Sequence, residues 1–251
     1  MRTQNRPYRT LTTLFLFILF INQAAATPDY EREKRWASEV IPSLIVGEPI
    51  YITQKNSHKF LGIFSESNNL KMGIIVAHGM GLHPDWGMIG TLRQGLFDEG
   101  YTTLSIQMPI LEANASYKAY PALFPEAAER LKLATAYLKA RGYQKITIVS
   151  HSNGSRMSRV YMLTNPVDVT TWIALSLTQG DTFKGINAAV FDLYGDGDLD
   201  HVLSSASKRK ASFRNNTLSK QKIISNANHF FSGREEAMLN AVANYLKQIQ
   251  Y

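Results

Sequence analysis

From Pro49 onward, short apolar runs alternate with segments whose apolar residues recur at helical spacing, which predicts strands interleaved with amphipathic helices. Ile50–Gln54 and Phe60–Ser65, separated by Asn56-Ser57-His58, read as an antiparallel hairpin at a sheet edge. Met72–Ala77 is continuously apolar and rich in Ile and Val, as a strand buried on both faces should be. A helix is expected from about Trp86 to Glu99, a strand over Tyr101–Gln107, and then an irregular stretch through Tyr120. Pro125 opens a helix in which Ala128, Leu131, Ala134 and Leu138 form one stripe before Gly142 ends it. Strands follow at Lys145–Val149, Thr171–Leu175, Ala188–Leu193 and Gln221–Ser225. Helices are expected at Gly154–Leu163, Val202–Phe213 and from about Arg234 to Ile249. This order predicts an α/β fold with a mostly parallel sheet, helices on both faces and minimal cap. No internal repeat interrupts it.

The first residues change the picture of the compartment. Arg2, Arg6 and Arg9 precede an apolar run from Leu11 to Ile21, and Ala24-Ala25-Ala26 follows. This is the pattern of a secretory signal peptide cut after Ala26, and the run is well short of the roughly 20 residues a spanning helix needs. The expected organisation is a signal peptide over 1–26, an N-terminal segment over 27–48 and one domain over 49–251, with a periplasmic or secreted mature protein. No stable membrane insertion is expected after cleavage. Three of the seven surplus positive charges lie in the signal region, so the remainder is only mildly basic. Basic residues do not alternate with aromatics in a nucleic-acid motif, so no nucleic-acid partner is expected. The one dense patch, Lys208-Arg209-Lys210 with Arg214, reads as a solvated helix face. The absence of cysteine excludes disulfides and Cys-ligated metals. Oligomeric state is left open.

The candidate chemistry lies at Ser150-His151-Ser152-Asn153-Gly154-Ser155, between an expected strand and an expected helix. A nucleophilic serine there sits in a strained turn, which requires small residues two positions to either side. Gly154 is one; Ser150 stands where Gly is usual. A serine hydroxyl needs a base to take its proton and an acid to orient that base, here in the chain order Ser, acid, His. Asp198 follows the strand Ala188–Leu193, with Asp196 as the alternative acid, and His229 follows the strand Gln221–Ser225. Both positions fall at the carboxyl end of the sheet, where open α/β sheets bind ligands. The oxyanion donors are expected to be the amides of Asn153 and of Met80, the latter in the loop His78-Gly79-Met80-Gly81, whose glycines permit a tight turn.

Asp196-Gly197-Asp198-Leu199-Asp200 also begins like a calcium loop, but His201 and Ser207 occupy positions where Gly and a bidentate Glu are needed. No metal and no cofactor are expected. His58, His83 and His201 read as surface residues. Pocket walls can come from Ile110–Leu123, with Tyr117 and Tyr120, and from Thr178–Gly185. His78, Gly79, Gly81 and His151 are further candidates for the pocket.

At these residues the chain resembles the α/β-hydrolase superfamily. His78-Gly79-Met80-Gly81-Leu82-His83-Pro84-Asp85-Trp86, Leu104-Ser105-Ile106-Gln107-Met108-Pro109 and Leu123-Phe124-Pro125-Glu126-Ala127 also resemble a bacterial family of uncharacterised α/β-hydrolase-like proteins, often exported. The resemblance spans about residues 45–250. It implies Ser152, Asp198 and His229 in the triad roles, Met80 and Asn153 in the oxyanion role, and an unassigned substrate; the shortness of the two pocket segments points to a small-molecule ester or acyl substrate. A peptidase or amidase using the same residues, and a non-catalytic envelope or binding protein on the same fold, are the alternatives.

Overall fold

The computed structural model describes residues 27–68, 72–213 and 216–249. The expected signal peptide lies outside the described residues. Among the described residues, no helix is long and apolar enough to cross a membrane.

Eight strands form one sheet: β1 (Glu48–Thr53), β2 (Lys59–Ser65), β3 (Met72–Ala77), β4 (Thr102–Ile106), β5 (Lys145–His151), β6 (Val169–Leu175), β7 (Ala189–Gly197) and β8 (Lys220–Asn228). Their spatial order is β1-β2-β4-β3-β5-β6-β7-β8. The β1–β2 hairpin is antiparallel and joins β4 antiparallel; every later pairing is parallel. Among the described residues, six α-helices flank the sheet: α1 (Tyr30–Val40), α2 (Gly87–Asp98), α3 (Phe124–Ala140), α4 (Asn153–Met162), α5 (Asp200–Ala211) and α6 (Glu235–Ile249).

Successive strand residues point to opposite faces, so each central strand feeds two cores. Ile75, Leu104, Ile148 and Trp172 pack with Leu131 and Leu138 of α3 and Met157 of α4. Ile74, Val76, Val149 and Ile173 pack on the other face with Leu96 of α2 and Val242 and Leu246 of α6. A sheet covered on both faces places its ligand site along the carboxyl edge of the parallel strands, and the loops after β3, β5, β7 and β8 meet there.

The elements of the domain lie where the periodicity puts them, with β7 and β8 running on to Gly197 and Asn228. The N-terminal segment differs, because residues 30–40 are helical. Asp29 caps α1 by accepting from the Arg32 amide at 2.9 Å. The inward face of α1 carries Glu33, which accepts from Arg130 Nη1 of α3 at 2.9 Å. Arg130 also donates to Glu126 and Gln54, so this buried guanidinium is paired rather than orphaned.

Two surface assignments are corrected by burial. Arg209, in the expected solvated patch, is fully buried and donates to Asp192 Oδ2 at 2.8 Å. His58 is partly buried, stacked on Tyr30 and within 3.2 Å of Glu33. His83 meets the edge of Trp36. Both are held by α1, a helix the apolar pattern does not reveal.

Candidate active site

β5 runs without a break into α4, and Ser152 occupies the one-residue junction. Its backbone is at φ 54 and ψ −123, a region that costs a non-glycine residue about 1–3 kcal/mol. Surrounding hydrogen bonds hold it there: its amide donates to Leu175 O of β6 at 2.8 Å, and its carbonyl accepts from the amide of Ser155 at 3.0 Å. Gly154 is required by close approach, since a Cβ there would lie 2.2 Å from the carbonyl oxygen of His78.

Ser150 replaces the usual glycine for a visible reason. Its flanking partners across the sheet are Ala77 and Ala174, which leave room for a hydroxymethyl group. Its hydroxyl accepts from Trp172 Nε1 at 2.8 Å and donates to Ser155 Oγ at 3.2 Å, and Ser155 in turn donates to the Ser150 carbonyl. The buried hydroxyls of Ser150 and Ser155 beneath the turn are thereby satisfied.

The three side chains expected to act together do meet. Ser152 Oγ lies 2.8 Å from His229 Nε2, and His229 Nδ1 lies 2.6 Å from Asp198 Oδ1. The second oxygen of Asp198 accepts from Ser176 Oγ at 2.5 Å, and the Leu199 amide donates to Oδ1 at 2.7 Å. Burial alone would raise the pKa of Asp198, but the hydrogen bonds from His229 and Ser176 outweigh it and hold the carboxyl below its ordinary value. Asp196 is exposed, and its Oδ1 accepts from the Ala227 amide instead. Only Asp198 reaches the imidazole.

The loop carrying His229 is shaped by Asn228. Its side-chain oxygen accepts from the amides of both Phe230 and Ser232 at 3.0 Å, an Asx turn that lifts His229 from the end of β8 toward Ser152. His151, next to the serine, is fully buried and contacts the His229 carbonyl through Nε2 at 2.9 Å. Burial, and next the positive charge His229 can carry, press its pKa down to about 3. It is therefore a neutral donor that steadies the backbone of His229.

His78 organises the opposite loop. The Met108 amide donates to its Nε2 at 2.9 Å, so the ring proton is on Nδ1, which donates to the Gly79 carbonyl at 2.8 Å. Burial pushes this imidazole down to about 3 and keeps it neutral. In a trans peptide the carbonyl of Gly79 and the amide of Met80 point to opposite sides, so tying down the carbonyl turns the Met80 N–H away from His78. Gly79 and Met80 line the cavity in front of Ser152. Gly81 takes φ +68 and lets the loop turn back. Asn153 begins α4, so its N–H has no carbonyl within the helix and is free for a ligand.

The cavity over Ser152 has a volume of about 570 Å³, within the range of small-molecule sites. Its lining combines the apolar Met80, Leu82, Leu199 and Phe230 with the polar Ser116, Tyr117, Lys118, Thr178 and Gln179. Of the expected pocket residues, Gly79, His151 and Tyr117 line it. His78, Gly81 and Tyr120 do not: His78 is buried beneath the loop, and Tyr120 is in the core with its hydroxyl 3.4 Å from the Leu111 amide. His201, expected at the surface, lines the cavity, because α5 starts at Asp200, two residues past Asp198. Ser176 and Asn228 were not expected, and each could have been sought as a polar residue at the end of a strand bordering the site. Among the described residues, no group of three or more His, Cys, Asp or Glu could hold a metal ion.

Solved structures share this architecture. Est1E from Butyrivibrio proteoclasticus, with ferulic acid bound, superposes with a TM-score of 0.67 at 15% identity, covering 79% of this chain and 98% of that one. A dienelactone hydrolase from Anabaena variabilis gives 0.65 at 17% identity over 80% of this chain and 98% of that one. The esterase Pf2001 from Pyrococcus furiosus gives 0.63 at 15% identity over 80% and 92%. No curated protein sequence matches the chain. A family model described as "Protein of unknown function (DUF3530)" matches residues 20–129, a span that holds the His78 loop and ends before Ser152. The chain thus has the α/β-hydrolase fold, and its N-terminal part matches a family to which no function is attached.

Proposed function

We propose that this protein is an exported serine hydrolase that cleaves carboxylic esters through an acyl-enzyme. The observation that carries the reading is the unbroken hydrogen-bonded chain from Ser152 Oγ through His229 to the buried Asp198, opening on a cavity. Export rests on the zoned N-terminus, with residues 1–26 as a cleaved signal and the mature protein periplasmic or secreted.

In the first half-reaction His229 Nε2 takes the proton of Ser152 as Oγ bonds to the substrate carbonyl carbon. The carbonyl oxygen becomes an oxyanion, stabilised by the amides of Met80 and Asn153. Asp198 holds the His229 tautomer that leaves Nε2 free and offsets the charge on the imidazolium. Collapse of the intermediate breaks the bond to the alcohol, which leaves with the proton from His229. Water, deprotonated by His229, then attacks the acyl group; the acid departs and Ser152 recovers its proton.

The test is a series of p-nitrophenyl esters from acetate to dodecanoate. Burying one methylene is worth about 0.8 kcal/mol, so kcat/KM is expected to rise about three- to fourfold per added methylene until the apolar lining is covered. If no ester in the series is cleaved faster by the wild type than by Ser152→Ala, the reading is wrong.

The orienting role of His78 gives a separate expectation. His78→Ala frees the Gly79 carbonyl, and kcat should fall about tenfold or more with KM changed far less, since the Met80 donor acts on the transition state. His78→Asn places an amide donor near the Nδ1 position and should recover part of the loss. Equal loss in both variants would show that the hydrogen bond to Gly79 is not what matters.

A further inference from the structure

The cavity over Ser152 is lined by both large apolar and polar side chains. Met80, Leu199 and Phe230 are 39%, 44% and 39% exposed, so large apolar surface faces solvent around its mouth. Isolated exposed apolar residues are ordinary, but three at one opening form a lip suited to an apolar chain. Phe230 is set there by edge contacts with Trp86 and with His229 itself, so the lip is fixed to the reacting centre.

Lys118 lines the same cavity, beside a polar cluster in which Tyr117 meets Thr178 and Arg156. The neighbouring Arg156 is already engaged. Arg156 donates to Asp181 Oδ2 at 2.9 Å and to Tyr117 Oη at 2.8 Å, which in turn lies 3.1 Å from Thr178 Oγ1. That network clamps the turn bearing Lys118 to α4 and to the loop after β6. Burial, and next the charge His229 can carry, lower the pKa of His201. Among the described residues, the ammonium of Lys118 has no ion pair, and it is exposed on a held backbone, with Ser116 Oγ accepting from its amide.

Resting on the reading of Ser152 as nucleophile, we propose that the substrate is an amphiphilic ester: an apolar acyl chain against Met80, Leu82 and Leu199, and an alcohol portion carrying an anion that Lys118 attracts. The alcohol is assigned to the Lys118 side because an anion-bearing group finds polar and cationic partners there. The acyl chain stays behind on Ser152, where apolar burial holds it.

The experiment uses 4-octanoyloxybenzoate and its methyl ester, which differ in charge at the leaving group. Each kcat/KM is normalised to hydroxide hydrolysis of the same ester, and the ratio of anionic to neutral ester is compared between variants. An exposed ion pair changes that ratio by about twofold to fivefold. Lys118→Gln should lower the ratio by that amount, Lys118→Glu should lower it further, and Lys118→Arg should keep it. Raising the salt to about 1 M shortens the screening length to about 3 Å and should shrink the wild-type preference. A ratio identical in the wild type, Lys118→Gln and Lys118→Glu, with both esters cleaved, overturns the assignment of Lys118 and leaves the hydrolase reading standing. Cleavage of neither ester above the Ser152→Ala level overturns both.

Discussion

Exchange of Ser152 for alanine is expected to lower kcat/KM on p-nitrophenyl esters by about 10⁴-fold or more, because among the described residues no other hydroxyl shares its hydrogen bond to His229. The same position should show that the turn is maintained against its own stability. At φ 54 and ψ −123 a side chain is strained whatever its chemistry, so Ser152→Ala leaves the strain in place. Ser152→Gly removes it. The glycine variant should be as inactive as the alanine variant, yet more stable by about 1 kcal/mol, net of the added freedom glycine brings to the unfolded chain. Urea denaturation monitored by circular dichroism reads this difference. A glycine variant less stable than the alanine variant would mean that the backbone of Ser152 is not strained, and the nucleophile would then lack the feature that presents it.

The second large effect separates two carboxylates two residues apart. Asp198→Asn should reduce kcat by about 10³- to 10⁴-fold, since an amide can offer His229 Nδ1 an N–H where a carboxylate accepts, favouring the wrong tautomer. Asp196→Asn should change kcat by less than about threefold, because that side chain faces the Ala227 amide rather than the imidazole. Steady-state rates at saturating ester measure both. Equal losses at the two positions would contradict the assignment of the acid. Because its hydrogen bonds hold the Asp198 carboxyl below its ordinary value, it also contributes stability that is present above the usual carboxylate pKa. That contribution is lost as the pH falls through the lowered folded value, and Asp198→Asn should flatten the acid limb of the stability curve.

Much of this arrangement was legible in the chain because strong local signals coincide. The apolar runs of β3 and β5 are buried on both sides and read as central strands without further help. The Ser152 turn stands out because a small-residue motif falls between a strand and a helix. What escaped depended on partners distant in sequence. α1 carries few apolar residues, and its inward Glu33 becomes acceptable only beside Arg130, 97 positions away. Ser150 looked irregular until Trp172 supplied a donor to its hydroxyl. The neighbouring acids could not be ranked from order alone, because a shift in strand register between Gly195 and Gly197 decides which of them faces His229. His201 joined the cavity for a related reason: a helix starting at Asp200 carries it back over the site.

The central claim is that the Ser152 hydroxyl is an activated nucleophile, and a fluorophosphonate probe tests it without knowledge of the substrate. Intact mass of the folded wild-type protein should show one adduct, mapped by peptide sequencing to Ser152, and the adduct should be missing from Ser152→Ala and from wild type unfolded before exposure. Folded protein that acquires no adduct, or acquires it equally when Ser152 is alanine, would contradict the account.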